Sequence, residues 1–505
     1  MTTTTAKKKD SFDRFGDDLC QLLLQYLPID DRLRLQSVSK QWLTLIFITQ
    51  TDLVFDGKLL ETMSLNSMRD YYPTIRLFKL IVRKCPNITA VTINVGSTLA
   101  GAVHMMNRFI NLLTKNSNRL KHLSIKFDYY DLLVIGRMFD QLFWRFGRQL
   151  QTFKFDGNNH EFNKQLFYKV IDGLPNLKTL DITNDNNSES TVQLNDIFID
   201  NNMYYLLPKS LQSLNIKLDE LSMPLFRNFA NNFGHQLISL TIQLDESIVV
   251  DEDEDDEWSV NLKPLLTGFR QMPRLRQLKF ELPMDFGPQF TVNLFSTIGR
   301  NCRQLKSIDY SPKFSNILTI KRIFAKINKH MSKQLRQLTV DCSPDYDCNE
   351  LSLTSRLLNR LHGLTHLTLR LDKWQIIGNQ FFQDIHRNLP RLQYLYCDRA
   401  SITRQSIASI GQLTHLTDVY LLCDRYTVTL SKSYIKRHLL IGTKIQHLFI
   451  EYNDSIGRQL VFKCGKYFHN NYQINSTGND VNDVSYDYNL IAYKYIHSHT
   501  DSDSE

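Results

Sequence analysis

The sequence predicts an α/β fold, a curved solenoid of strand–helix units with a parallel sheet on its concave face and a small helical unit ahead of it. Two observations carry this expectation. A six-residue frame, apolar–x–x–apolar–x–apolar, occurs 13 times between Ile88 and Ile450 with a mean period of about 30 residues, the length a strand, a helix and their turns require. Three residues past the last apolar position an Asn or Asp recurs, at Asp128, Asn158, Asp185, Asp219, Asp245, Asp372, Asp424 and Asn453. A short acidic or amide side chain there can bond the backbone as the chain turns off the strand.

The frames read ITAVTI (88–93), LKHLSI (120–125), LQTFKF (150–155), LKTLDI (177–182), LQSLNI (211–216), LISLTI (237–242) and LRQLKF (275–280). They continue LKSIDY (305–310), LRQLTV (335–340), LTHLTL (364–369), LQYLYC (392–397), LTDVYL (416–421) and IQHLFI (445–450). Strand alternation sends the apolar positions inward and positions three and five to the concave face. Between frames, apolar residues at helical spacing predict helices such as Leu194–Leu207, Leu225–Phe233, Leu262–Phe269, Ile317–His330, Leu351–Leu361, Phe381–Leu389 and Tyr434–Leu440. Pro86, Pro175, Pro273 and Pro390 precede new strands, where proline stops a helix and favours extended chain. Frame and period resemble the long form of the leucine-rich repeat. No such unit buries its apolar side alone, so the units stack and both ends need caps.

Ahead of the frames, Leu19, Leu22, Leu23, Tyr26 and Leu27 form one helical stripe. Asp17 and Asp18 suit a helix start, and Pro28 stops the helix. Leu33 and Leu35 mark a second helix and Val38, Trp42 and Leu45 a third segment. Helices this short need a partner, either the rest of the chain or another protein. A bridge over 48–85 is expected to hold a strand at Leu53–Phe55 and a helix near Ile75–Val82.

This unit resembles the F-box. Phe15, Asp17, Asp18 and Leu19 match the start of its pattern, Tyr26, Leu27 and Asp31 the middle, and Val38, Ser39, Lys40 and Trp42 the end, without a gap. Gly16 stands where the family has proline, and Arg32 where it usually has leucine. The resemblance implies a member of the F-box and leucine-rich-repeat family: a substrate-recognition subunit of an SCF-type E3 ubiquitin ligase. It would dock a Skp-type adaptor, and through it a cullin scaffold, by Phe15, Leu19, Leu23, Leu27 and Val38. Lys40 and Trp42 would serve the unit's own rim and packing. The other reading is a leucine-rich-repeat scaffold or inhibitor, not coupled to ubiquitination, whose helices merely cap the solenoid.

The expected organisation is a disordered tail over 1–10, the F-box over 11–50, the solenoid over 51–466 with an acidic loop at 246–260, and a polar, mostly disordered tail over 467–505. The loop holds the run DEDEDDE (251–257), which repels itself and reads as solvated chain. Residues 1–10 lack an apolar core and no run is long enough to span a membrane, so the expected compartment is cytosol or nucleus. The eight cysteines form no C-x-x-C pair and read as buried reduced thiols. A formal charge of +8 spread over 505 residues, with no basic run beyond three, gives no support for a nucleic-acid partner.

None of the phosphate-loop, dinucleotide, zinc-protease or nucleophile-elbow motifs occurs, and the histidines show no metal-ligand spacing. His122, His366 and His447 recur because they share one frame position. The chain reads as a non-enzyme without cofactor or metal. Its concave face is small or polar early (Ser124, Thr152, Thr179, Asn215, Ser239, Thr241) and large late (Tyr394, Tyr396, Tyr420, His447, Phe449), flanked by Arg370, Asp398, Asp418 and Glu451. Aromatics with mixed charge are interface anchors. The expected target-binding set is Arg370, Tyr394, Tyr396, Asp398, Tyr420 and Phe449. A covering by the tail tyrosines Tyr486, Tyr488, Tyr493 and Tyr495 is the equal alternative.

Overall fold

The computed structural model describes residues 16–27, 32, 35, 40–55, 79–95, 102–127, 132–157, 164–183, 207–218, 223–244, 262–282, 287–312, 314–315, 317–344, 353–371, 377–423, 432–441, 443–453 and 459–464. Phe15, Val38, the predicted helix at 194–206, the acidic loop and both tails lie outside them.

The strands among these residues are β1 (Asp52–Phe55), β2 (Ala90–Val95), β3 (His122–Phe127), β4 (Thr152–Gly157), β5 (Thr179–Thr183), β6 (Ser213–Leu218), β7 (Ser239–Leu244) and β8 (Gln277–Leu282). They continue with β9 (Ser307–Pro312), β10 (Phe314–Ser315), β11 (Gln337–Pro344), β12 (His366–Leu371), β13 (Tyr394–Ala400), β14 (Asp418–Cys423), β15 (His447–Asn453) and β16 (Gln459–Cys464). All 13 frames are strands of one open sheet, neighbours in sequence order and parallel from β1 to β15. The fold is a leucine-rich-repeat solenoid. The short β10 sits off this path, paired with β11.

Register is held by a backbone ladder at the second frame position, from Thr89 through Lys121, Gln151 and Lys178 to Gln446, with N–H to O distances of 2.7 to 2.8 Å. Each amide bonds the carbonyl of the preceding unit, so one slipped unit would turn its neighbour's apolar residues outward. The frame leucines are buried throughout: Leu123, Leu180, Leu214, Leu240, Leu278, Leu338, Leu367, Leu395 and Leu448 are each at most 2% exposed.

Helices close the other side of that core. Those at Ala102–Asn116, Leu132–Phe146, Lys164–Gly173, Met223–Phe233, Lys263–Phe269, Gly287–Asn301 and Ile317–His330 lie one per unit, touching the next where both are described. Aromatics bridge helix and sheet: Phe139 meets Phe153 edge-on at 5.4 Å, and Phe295 meets Tyr310 at 5.2 Å. A fully buried side chain of this size contributes about 1.5 to 3 kcal/mol, so the stack is held by area gained unit by unit.

Several expectations are corrected. Within the predicted helix 351–361, the described residues form only a 3-10 turn at Ser355–Leu358. The segment 381–389 breaks into turns at Asn379–Phe382 and Ile385–Asn388, because Asp384 is left-handed with φ 58° and cannot lie inside a right-handed helix. Tyr434–Leu440 is helical but opens into a π turn at Lys436–Leu440. The four prolines occupy the expected turns before strands. Of the recurring Asn/Asp positions only Asn453 is described. It does not leave the sheet there: it pairs with Gln459 of β16, which runs antiparallel to β15 and closes that edge.

Candidate binding surfaces

The helix Asp17–Gln25 packs against Lys40–Ile48, and Gln41 Nε2 donates to Asp17 Oδ1 at 2.6 Å. The pair divides its apolar residues sharply. Cys20, Leu24, Trp42, Leu45, Ile46 and Phe47 are buried and continuous with the solenoid core, and Leu27 and Leu35 pack against it half-buried. Leu19, Leu22, Leu23 and Tyr26 are exposed, at 43, 49, 39 and 79%. Residues 19, 22, 23 and 26 follow the i, i+3, i+4, i+7 spacing of a single helix face. Of the residues expected at an adaptor contact, Leu19 and Leu23 are brought together on that face, and Leu27 turns partly inward. Leu22 and Tyr26 join them, and the same periodicity in the sequence identifies both.

Arg32, which stands where the F-box pattern usually has leucine, has a structural task. Its Nε donates to the Leu27 carbonyl at 2.7 Å and its Nη1 to Gln50 Oε1 at 2.9 Å. Burial pulls the guanidinium pKa down and Asp52 partly offsets the shift. Gly16 is the residue before the helix, with φ −64° and nothing within 4 Å of the place a Cβ would take.

The second surface lies on the open face across β12 to β15. In-register pairing aligns His366, Tyr394, Asp418 and His447 in one row and Thr368, Tyr396, Tyr420 and Phe449 in the next. These aromatics were expected to be exposed; that expectation is corrected. Tyr394 is 2% exposed, Tyr396 and Phe449 are each 7%, and Asp418 and His447 are buried too. Parallel strands run about 4.8 Å apart, so large side chains at one frame position cover each other. Tyr394 stacks on His366 at 5.7 Å, and Tyr420 lies 5.5 Å from Tyr394 and 6.4 Å from Tyr396. Arg370 lies over Tyr396 at 5.3 Å while its Nη1 pairs with Asp341 at 3.2 Å.

What stays accessible is the half-buried margin of Tyr420, Arg370, Asp398 and Glu451. Burial, then Asp398, pushes the Tyr396 hydroxyl up to about 12; burial raises Tyr394 further still. Both therefore stay neutral donors across the physiological range. His447 Nδ1 meets Asp418 Oδ1 at 2.6 Å, and Thr417 donates to the other carboxylate oxygen. This pair lies within the stacked rows and has a structural place there.

The middle of the open face is polar and self-paired: Lys126 meets Asp156 at 2.7 Å, Lys279 meets Glu281 at 2.6 Å, and Ser311 donates to Asp309 at 3.1 Å. Among the described residues no group of three or more His, Cys, Asp or Glu could hold a metal ion, and no helix is long and apolar enough to cross a membrane. Cys20, Cys85, Cys302 and Cys397 are buried thiols outside any disulfide, and burial pushes Cys85 and Cys302 up to about 12.

No protein-family model matches the chain, and neither does any curated protein. Solved structures do. The Rad7–Elc1 complex of yeast aligns with TM-score 0.39 and 14% identity, over 80% of this chain and 92% of that one. The leucine-rich repeat-containing protein LegL7 of Legionella pneumophila gives 0.34 and 9%, over 81% and 92%. An internalin of Listeria monocytogenes gives 0.26 and 12%, over 75% and 93%. At such scores these likenesses assign no partner or activity.

Proposed function

We propose that the chain is a substrate-recognition subunit of an SCF-type ubiquitin ligase. Its N-terminal helices would hold a Skp-type adaptor, and its solenoid would hold a target protein. The observation that carries this reading is the exposed stripe of Leu19, Leu22, Leu23 and Tyr26 on a helix whose opposite face is buried. An end cap alone would have no use for four large apolar residues turned to water, whereas an adaptor contact needs such anchors. The match of this stretch to the F-box pattern supplies the identity of the partner.

The mechanism is that of a bridge. The adaptor end would recruit the cullin scaffold and the charged ubiquitin carrier, while the open face presents the target. Holding two reactants together replaces a bimolecular encounter and lowers the barrier without catalytic groups on this chain. The margin of Tyr420, Arg370, Asp398 and Glu451 is where a target would make contact, with Tyr394, Tyr396 and Phe449 as its rigid support.

The test is co-expression with a Skp-type adaptor followed by size-exclusion chromatography. Co-elution that is lost in Leu19→Asp/Leu23→Asp is the expected result. An adaptor that elutes separately from the intact chain would sink the ligase reading and leave a repeat scaffold.

A further inference from the structure

The chain's net charge conceals a strong separation. Thirteen segments lead into the thirteen frame strands: 84–89, 115–121, 145–151, 173–178, 207–212, 234–238, 270–276, 300–306, 329–336, 356–365, 386–393, 411–417 and 436–446. Together they hold 24 Lys and Arg in 95 residues and no Asp or Glu, with Asp172 and Asp384 just ahead of two of them, where the chain's average would place about ten acids. The rest of the chain therefore nets −16. Acids gather in connections of the opposite kind, from strand to helix, such as the run 251–257 between β7 and Lys263–Phe269.

Because the units stack in register, all these segments fall on one rim. Every one of the 24 cations is exposed except Arg336, which is half-buried. Eleven belong to four adjacent units, at 270–276, 300–306, 329–336 and 356–365. Arg276, Lys306 and Arg336 are consecutive steps of the backbone ladder, bonded at 2.7 and 2.8 Å. None of the eleven forms an ion pair with a described carboxylate. The field shows at His330, whose pKa is held down first by burial and then by Arg300, Lys329 and Lys326. A cation at a helix C-terminus offsets the dipole there, but two or three per unit exceed that need, and the ladder residues stand at strand starts.

We propose that this rim binds the phosphate backbone of a double-stranded nucleic acid. Three features select that partner. Four strand starts span roughly 15 Å, so eleven cations match the charge density of a duplex, which carries one phosphate per about 1.7 Å of axis. Eight of the eleven are arginine, the residue whose planar fork suits phosphate. The leucines and methionines of the four segments are buried or half-buried, so no apolar anchor is offered to a lipid surface or a protein hot spot. They contain no Phe, Tyr or Trp, so there is no platform for stacking unpaired bases. Sequence reading gave no support for such a partner because the cations are dispersed singly and gathered only by the fold.

The experiment is fluorescence anisotropy of the full chain with a labelled DNA duplex, the equivalent RNA duplex and the separate strands, over a salt series. Duplex binding should weaken with salt with a log–log slope of about −0.9 per phosphate contacted. Arg276→Glu/Arg303→Glu/Lys306→Glu should lose about tenfold or more and flatten that slope by about three contacts. Arg137→Glu/Arg227→Glu/Lys263→Glu, which changes the charge equally away from the rim, should keep its affinity within about twofold. Circular dichroism checks both triples, and if the first fails to fold, Arg276→Gln/Arg303→Gln/Lys306→Gln supplies the same reading. Either duplex binding in this manner supports the proposal. Salt-insensitive or absent duplex binding, equal loss in both triples, tighter binding of the single strands, or tighter capture of phosphatidylserine vesicles overturns it.

Discussion

Arg32 Nη1 donates to Gln50 Oε1 across 2.9 Å, fastening the N-terminal helices to the first edge of the sheet. Gln50 is 7% exposed and stands two residues before β1. Arg32→Leu, which places the residue usual in the F-box pattern at this position, leaves that buried acceptor without its donor at a cost of about 1 to 3 kcal/mol. Because a repeat array loses stability locally, amide exchange in β1 should quicken while β8 and β9 stay protected. Unchanged exchange in β1 would show that the strap is idle.

Gly16 sits at φ −64° with open space around its Cβ position, a geometry proline adopts without strain. Gly16→Pro should therefore stabilise the first helix by about 0.4 to 1 kcal/mol by restricting the unfolded chain. Adaptor affinity should rise with it, which isothermal titration measures directly.

Leu23 and Leu24 are neighbours with opposite surroundings, 39% exposed and fully buried. Leu24→Ala should cost about 2 to 5 kcal/mol through the cavity it leaves and lower the melting temperature. Leu23→Ala should leave melting near the parent value and weaken the adaptor complex. Equal effects of the two on melting would contradict the division of that helix into two faces.

Tyr394 and Tyr420 also divide in role. Tyr394→Ala empties a buried position beneath the stack and should cost about 3 to 5 kcal/mol, melting the last repeats. Tyr420→Ala removes a half-buried ring and should cut target recovery in a pull-down while the melting profile holds. Tyr396→Phe keeps the ring under Arg370 and should change neither.

Asp309, half-buried between Lys279 and Asp341, has its pKa raised, chiefly by burial. A raised folded-state pKa means that folding favours the protonated acid, so this contribution is present at low pH and lost as pH rises through the folded value. Asp309→Asn should thus melt higher than the parent at neutral pH, and the two should converge below pH about 4. Thermal melts across that range check the sign, and a variant that melts lower at neutral pH would refute it.

The solenoid was legible because its signal is local and repeated. Each frame alone specifies a strand with two inward residues, and the frames from 88–93 to 445–450 all became neighbours in one sheet. The stripe of Leu19, Leu22, Leu23 and Tyr26 was equally readable, since helical periodicity puts those residues on one face whatever surrounds them. Tertiary structure decided everything that depends on residues about 30 positions apart coming into register. It buried Tyr394, Tyr396 and Phe449 by laying each against its neighbour, added β16 antiparallel to β15 at the end of the sheet, and set Arg32 against Gln50. It also brought scattered cations such as Arg276, Lys306 and Arg336 onto one rim. Periodicity along a chain reports which side of its own element a residue faces. What that residue meets there depends on the neighbouring units, and only the folded stack supplies them.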